Sequence, residues 1–215
     1  MTAHRIRVFL ADDHNLVRQA LAEMINRNPD FEVVGQCGDG LHVVEQVLEA
    51  KPEVLVLDIV MPGLNGLDVC KEITRKLRKL AVLILSMHDD EEFVARALEN
   101  GASGYLMKEA DNDQLATAIR TVAKGELYLA PGVSKNVLQR LGRAPEDAYS
   151  RLTTRERQVL QLITEGKTNR DVAGVLGLAV KTIDTHRTRL MRKLGIHDQT
   201  ALVKFALRKG IVPLN

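Results

Sequence analysis

Five short apolar runs, four of them closed at the carboxyl end by polar or charged residues, constrain what this chain can fold into more than any other feature. The clearest is Val54-Leu55-Val56-Leu57-Asp58, followed at once by Ile59-Val60-Met61-Pro62-Gly63. An apolar, β-branched run of this length, closed by proline and glycine, reads as a strand buried on both faces. Ile6–Ala11 closing in Asp12-Asp13, Phe31–Cys37, Ala81–Ser86, and Gly104–Met107 closing at Lys108 read as four more strands. Between them the apolar period lengthens to that of a helix. Val17, Ala20, Leu21 and Met24 form one inward stripe; Val43, Val44, Val47 and Leu48 form a second. A helix near Gly66–Leu77 follows, then one marked by Phe93, Val94, Ala97 and Leu98. Asp111 starts a fifth, with Leu115, Ile119 and Val122 inward. Strands alternating with helices argue a parallel sheet covered on both faces and joined by right-handed crossovers.

In an open parallel sheet, chemistry collects beyond the carboxyl ends of the strands. Asp12, Asp13, Asp58, Ser86 and Lys108 all close strands. With five parallel strands in the flavodoxin-like order 2-1-3-4-5, the switch point lies between strands one and three. That order brings Asp12, Asp13 and Asp58 into one crevice. Three adjacent carboxylates stay ionised together only when a cation joins them. Oxygen ligands suit Mg²⁺, which commonly bridges protein carboxylates to a phosphate. Lys108 adds a point charge fit for a phosphoryl oxygen, and Ser86 adds a hydroxyl. The set reads as a phosphoryl-transfer site with a carboxylate nucleophile.

On these residues, with Met61-Pro62-Gly63 and with Tyr105 three positions before Lys108, residues 5–125 resemble the receiver domain of bacterial two-component response regulators. The resemblance implies that Asp58 is the phosphoacceptor. It implies Mg²⁺ ligands at Asp12 or Asp13, at Asp58 and at the Val60 carbonyl, and a switch pair in Ser86 and Tyr105. Receivers often carry a very small residue after the switch hydroxyl, where this chain has Met87. That side chain would narrow access to the phosphate.

The domains read as 1–125 for the receiver, 126–150 for a linker and 151–215 for a second domain. In the linker, Val133, Val137, Leu138 and Leu141 have helical spacing, and Gly142–Tyr149 is a polar joint containing glycine and proline. Charge divides along the same line. Residues 1–125 hold 14 Lys and Arg against 20 Asp and Glu, a net −6; residues 126–215 hold 16 against 8, a net +8. A basic half suggests a polyanionic partner.

The second domain reads as four helices. Thr153 and Glu156 fit a capping box, and Gly166 stops the first helix. A second runs from about Asn169 to Leu176, Gly177 makes a turn, and a third runs from about Val180 to Leu194. Gly195 ends that helix and Asp198 starts the fourth. Two short helices joined through a glycine turn make a helix-turn-helix. On the third helix Lys181, Asp184, Thr185, Thr188 and Arg192 form a polar stripe, flanked by Thr182, Arg187, Arg189 and Lys193, while Ile183, Leu190 and Leu194 form the opposite stripe. Such a helix can anchor in a core and enter a major groove, its flanks neutralising phosphates. Lys181, Asp184, Thr185 and Thr188 are expected nearest the bases; Arg187, Arg189, Arg192 and Lys193 are expected nearer phosphates. His186 reads as a packed histidine that orders the helix.

Residues 152–207 resemble the LuxR-type DNA-binding domain, through Leu152-Thr153, Arg155-Glu156, Val159-Leu160, Gly166, Asn169, Ala173, Leu176, Thr182-Ile183, His186, Lys193-Leu194 and Ala201. The whole therefore resembles the NarL/FixJ group of response regulators. Asp171-Val172 stands where that family commonly has Glu-Ile, and Gln199 where it commonly has arginine. The resemblance implies a transcription factor phosphorylated by a sensor histidine kinase, dimeric when phosphorylated, binding double-stranded DNA. Two rivals remain at this stage. A haloacid-dehalogenase-like phosphohydrolase would carry an acid two residues after the nucleophile, where this chain has Val60. A receiver serving only as a dimerisation module would not need the complete set of strand-end residues.

Composition fits this reading, at 45% hydrophobic and 27% charged residues. No apolar run reaches the roughly 18 residues of a membrane span. The N-terminus lacks the pattern of a signal peptide. Cys37 and Cys70 lie among apolar neighbours and read as thiols of a cytoplasmic protein.

Overall fold

In the computed structural model, residues 4–87, 90–130 and 147–212 are described. The chain divides into two compact units. The first contains strands β1 (Ile6–Ala11), β2 (Phe31–Cys37), β3 (Val54–Asp58), β4 (Ala81–Ser86), β5 (Gly104–Met107) and β6 (Tyr128–Leu129). Its helices are α1 (Asn15–Arg27), α2 (Gly40–Ala50), α3 (Gly66–Lys76), α4 (Glu91–Glu99) and α5 (Asn112–Ala123). The sheet is parallel throughout, in the order β2-β1-β3-β4-β5-β6. The expected order of the first five strands holds. The sixth is an addition: Tyr128 and Leu129 pair with Gly104 and Tyr105, inside the stretch read as linker. The helical spacing over Val133–Leu141 lies outside the described residues.

Every residue of β3 and β4 is buried, which is why both runs are continuously apolar rather than alternating. Val8, Leu10, Val54, Val56, Leu83 and Leu85 pack with Ala22 and Ile25 of α1 and with Leu115, Ala118, Ile119 and Val122 of α5. Each of these valine, leucine and isoleucine side chains, once buried, contributes roughly 1.5–3 kcal/mol. Helix α1 turns only part of its expected stripe inward: Leu21 and Met24 pack half-buried against the core. Val17 and Ala20 are exposed, and Ala22 and Ile25 are the buried pair. The apolar residues of α1 wrap more than one face, so periodicity alone does not choose between neighbouring stripes. Leu48 of α2 is likewise 41% exposed rather than inward. Both cysteines are free and buried, and burial pushes the Cys70 thiol up to about 12.

The loop from β3 to α3 returns sharply upon itself. The Gly66 N–H donates to the Ile59 carbonyl at 2.8 Å. A Cβ on Gly66 would lie 1.8 Å from the Asp58 carbonyl oxygen. Glycine is therefore required there by close approach of backbone to backbone.

The second unit begins with a 3₁₀ turn (Ala148–Arg151), followed by α6 (Thr154–Thr164), α7 (Asn169–Leu176), α8 (Val180–Leu194) and α9 (Gln199–Arg208). Thr153 and Glu156 form the expected capping box on α6. Thr168 and Asp171 form a second one on α7. Gly177 caps α7 with φ +64°, a left-handed conformation that favours glycine. None of the helices among the described residues is long and apolar enough to cross a membrane.

Gly66→Ala should lower the unfolding free energy by more than about 2 kcal/mol, because backbone on both sides of the clash must move. Urea unfolding followed by far-UV circular dichroism checks this, and an unchanged midpoint would contradict the close packing at Asp58.

Candidate functional site

The ends of β1, β3 and β5 bring Asp12, Asp58 and Lys108 together. Asp12 and Asp58 are each 3% exposed. The Lys108 ammonium lies 2.7 Å from Asp12 Oδ2 and 2.7 Å from Asp58 Oδ2. Only the Asp58 contact also has hydrogen-bond geometry. Asp58 Oδ1 accepts from the Val60 N–H at 3.3 Å. Asp12 Oδ1 accepts from the His14 N–H at 2.8 Å, whereas Asp12 Oδ2 accepts no hydrogen bond among the described residues. Asp13 stands beside them, its Oδ1 2.7 Å from His14 Nδ1.

One lysine does not neutralise this group. Burial pushes the Asp58 carboxyl up to about 6; the Lys108 charge opposes the rise and Asp12 adds to it. Burial works to lower Lys108, but the charges of Asp58 and Asp12 and the hydrogen bond to Asp58 outweigh it and hold the ammonium above the ordinary lysine range. One oxygen or nitrogen each from Asp12, Asp13, His14 and Asp58 lie within 4.8 Å of one another. Excess negative charge, hard oxygen donors and an acceptor without a hydrogen bond at Asp12 fit a divalent cation.

The remaining strand-end residues fall around the group. Ser86 is fully buried, and its carbonyl accepts from the Lys108 N–H at 2.9 Å. Tyr105 is fully buried on β5, two register steps before the Ser86–Met107 pair. Met87 is 62% exposed. Sequence reasoning missed two neighbours here. One is His14, whose signal was its place directly after the acid pair. The other is Arg18, which donates to the Asp12 carbonyl at 2.5 Å from one helical turn further on.

In the second unit Lys181, Thr182, Asp184, Thr185, Thr188, Arg189 and Arg192 are exposed along α8, while Ile183 and Leu190 are fully buried. His186 is half-buried beside that inner stripe. Two flanking cations are held within the unit. Lys193 donates to Glu156 Oε2 at 2.6 Å and to the Arg151 carbonyl at 3.2 Å. Burial alone would raise Glu156, but hydrogen bonds from Lys193 and Thr153 hold its carboxyl below the usual range. Lys193, read from the sequence as a phosphate contact, also ties α8 to the start of α6. Arg187 donates to Asn169 Oδ1 and to Gln199 Oε1, both at 3.3 Å. Gln199, which stands where the resembling family commonly has arginine, thus receives a contact from α8. Asn169 also donates to Asp184 Oδ1 at 2.5 Å. Asn169 is one of the residues that carry the LuxR-type resemblance, but its linking role has no local signal, because its partners come from a helix 15 and 18 positions on.

Residues 8–120 match the response regulator receiver domain, and residues 150–206 match the luxR family of bacterial regulatory proteins. The chain is 38% identical to the transcriptional regulatory protein LiaR of Bacillus subtilis over 209 residues, covering 96% of this chain and 99% of LiaR. It is 34% identical to the oxygen regulatory protein NreC of Staphylococcus carnosus over 215 residues, covering 96% and 99%. Among solved structures, it is similar to RcsB of Salmonella enterica serovar Typhimurium bound to promoter DNA with phosphomimetic BeF₃⁻. The TM-score is 0.58 at 25% identity, covering 94% of this chain and 98% of RcsB. It is similar also to ChrA, the response regulator of a heme-sensing two-component system, with TM-score 0.52 at 32% identity, covering 97% and 99%.

The raised Asp58 pKa carries a stability consequence. A carboxyl raised in the folded state destabilises that state at pH values above about 6, where it is charged. Relief comes as pH falls through that value. In metal-free buffer at pH 7.5, Asp58→Asn should therefore stabilise the chain, by an amount on the order of 1 kcal/mol. The gain should shrink toward pH 5. Denaturant melts at the two pH values check it, and a gain that grows in acid would contradict the assignment.

Proposed function

We infer the chemistry of this chain from its family: it belongs to the NarL/FixJ response regulators, which join a receiver domain to a LuxR-type DNA-binding domain. The chain is a DNA-binding transcriptional regulator of a two-component system, not a classical enzyme. Asp58 is our phosphoacceptor. The observation that carries this is the Lys108 ammonium at 2.7 Å from both Asp58 and Asp12 in a buried, over-acidic pocket.

An Asp58 carboxylate oxygen attacks the phosphorus of a phosphohistidine on the sensor kinase. The new O–P bond forms as the P–N bond breaks, and the imidazole leaves. Lys108 neutralises a phosphoryl oxygen, and the Ser86 hydroxyl donates to another. Asp12, Asp13, Asp58 and the Val60 carbonyl are the residues we assign to hold Mg²⁺. Bound there, Mg²⁺ supplies the positive charge that lets the carboxylates and the phosphoryl group share one pocket. Met87 stands beside the site and restricts the approach of hydrolysing water, so that self-dephosphorylation is slow.

Phosphorylation brings a charge of roughly −2 near neutral pH to a buried position. Ser86 and Tyr105 answer it as the switch pair. The changed receiver surface, across a linker that we place at 126–150, favours a homodimer on double-stranded DNA in the cytoplasm. Half-sites then lie about one helical turn apart, or a multiple of it. The exposed stripe of Lys181, Thr182, Asp184, Thr185 and Thr188 faces the bases, with Arg187, Arg189 and Arg192 nearer phosphates. Lys193, paired to Glu156, acts through the fold.

Asp58→Asn should abolish the stimulation of DNA binding by acetyl phosphate with Mg²⁺ in a gel-shift titration, and undiminished stimulation would remove Asp58 from the switch. The two neighbouring cations of α8 should separate. Arg192→Ala should lower the salt slope of binding by about one without changing stability. Lys193→Ala should leave the slope alone and lower stability by roughly 1–3 kcal/mol, through the unpaired Glu156.

A further inference from the structure

Asp184 differs chemically from the rest of its stripe. Lys181, Thr185, Thr188 and Arg192 can each donate a hydrogen bond, whereas a carboxylate only accepts. Among the described residues, Asp184 is also the member of that stripe whose side chain is tied to another helix. Asn169 Nδ2 on α7 donates to Asp184 Oδ1 at 2.5 Å. Asn169 is itself held by Arg187, and Arg187 by Gln199 on α9, each at 3.3 Å. Three helices thus aim one exposed carboxylate. Its second oxygen, Oδ2, makes no hydrogen bond or ion pair among the described residues.

A fixed negative charge on a DNA-facing surface opposes the phosphate field at every sequence. Only a donating base edge offsets that. In the major groove, guanine presents O6 and N7 and thymine presents O4, all acceptors. Adenine sets its N6 donor beside the N7 acceptor. Cytosine offers its N4 amino group with no neighbouring acceptor on the same base. Opposite guanine or thymine, a desolvated carboxylate meets lone pairs, so the mismatch costs more than one lost hydrogen bond.

We propose that Asp184 is a specificity-determining residue of this regulator, accepting a hydrogen bond from the N4 amino group of a cytosine at one position of each half-site, with Asn169 as its positioning residue. This rests on the DNA-facing assignment of α8 above. Asn169 fixes the side-chain rotamer, so that Oδ2 points to a single base step. Arg187 and Gln199 hold Asn169 in place.

The test uses the full chain with Mg²⁺ and BeF₃⁻, selecting binders from a randomised duplex library. The selected site and its single-base variants are then titrated. Wild type should require cytosine at one position per half-site, with guanine or thymine there weakening binding roughly ten- to a hundredfold. Asp184→Ala should leave the rest of the motif intact, make that position indifferent, and bind unrelated duplex as well or better. Asp184→Asn, nearly isosteric but able to donate, should shift the position toward adenine. Asn169→Ala should shrink discrimination at that position and at no other. The inference is overturned if Asp184→Ala selects the wild-type motif unchanged, or if it weakens all positions equally. A wild-type chain that selects no motif at all overturns the DNA-facing assignment as well. A normal motif indifferent to residue 184 overturns this inference alone.

Discussion

The ammonium of Lys108, held between two buried carboxylates, is the interaction on which the first unit's chemistry depends. A lysine on β5 reaches aspartates on β1 and β3 only if the strands run parallel and end in register. The alternation of strands and helices, the uninterrupted burial of β3 and β4, and the glycine pressed against the Asp58 carbonyl all serve that alignment. Apolar burial supplies the stability that lets like charges stay packed at the strand tips. The charges themselves oppose folding, as the upward shift of Asp58 records. A pocket that destabilises its own fold favours whatever neutralises it, and a divalent cation would do so.

The second unit applies a different constraint. Its helix α8 is amphipathic, but amphipathicity leaves a helix free to rotate and slide. Side-chain bonds remove that freedom. Lys193 ties the carboxyl end of α8 to the capped start of α6, while Asn169, Arg187 and Gln199 tie its middle to α7 and α9. Ile183 and Leu190 set the depth. A helix fixed this way presents its exposed stripe at one angle, which base recognition requires.

Much of this was legible in the sequence because the relevant signals are local. Apolar runs that end in Asp58, Ser86 and Lys108 announce strands and their tips. Thr153 with Glu156, Gly177 and Gly195 announce helix ends, and each stands where its chemistry requires. What was not legible depends on packing. Helix α1 carries apolar residues on more than one face, so Val17 and Ala20 looked inward when Ala22 and Ile25 are. Lys193 looked like one more surface cation, since its partner Glu156 lies 37 residues away. Asn169 gave no hint that it links Asp184 to Arg187. The two-residue strand β6 is too short for any periodicity to register.

The acidic, lysine-bridged pocket suits an acyl phosphate, and Asp58 is the carboxylate we assign to carry it. Reaction of the full chain with acetyl phosphate and Mg²⁺, reduction with sodium borohydride and peptide mass spectrometry would locate that bond, because reduction converts a phosphorylated aspartate to homoserine. Conversion at residue 58, with Asp12 and Asp13 untouched, is the predicted result. Conversion at another acid, or at none while the chain remains folded, would contradict the account.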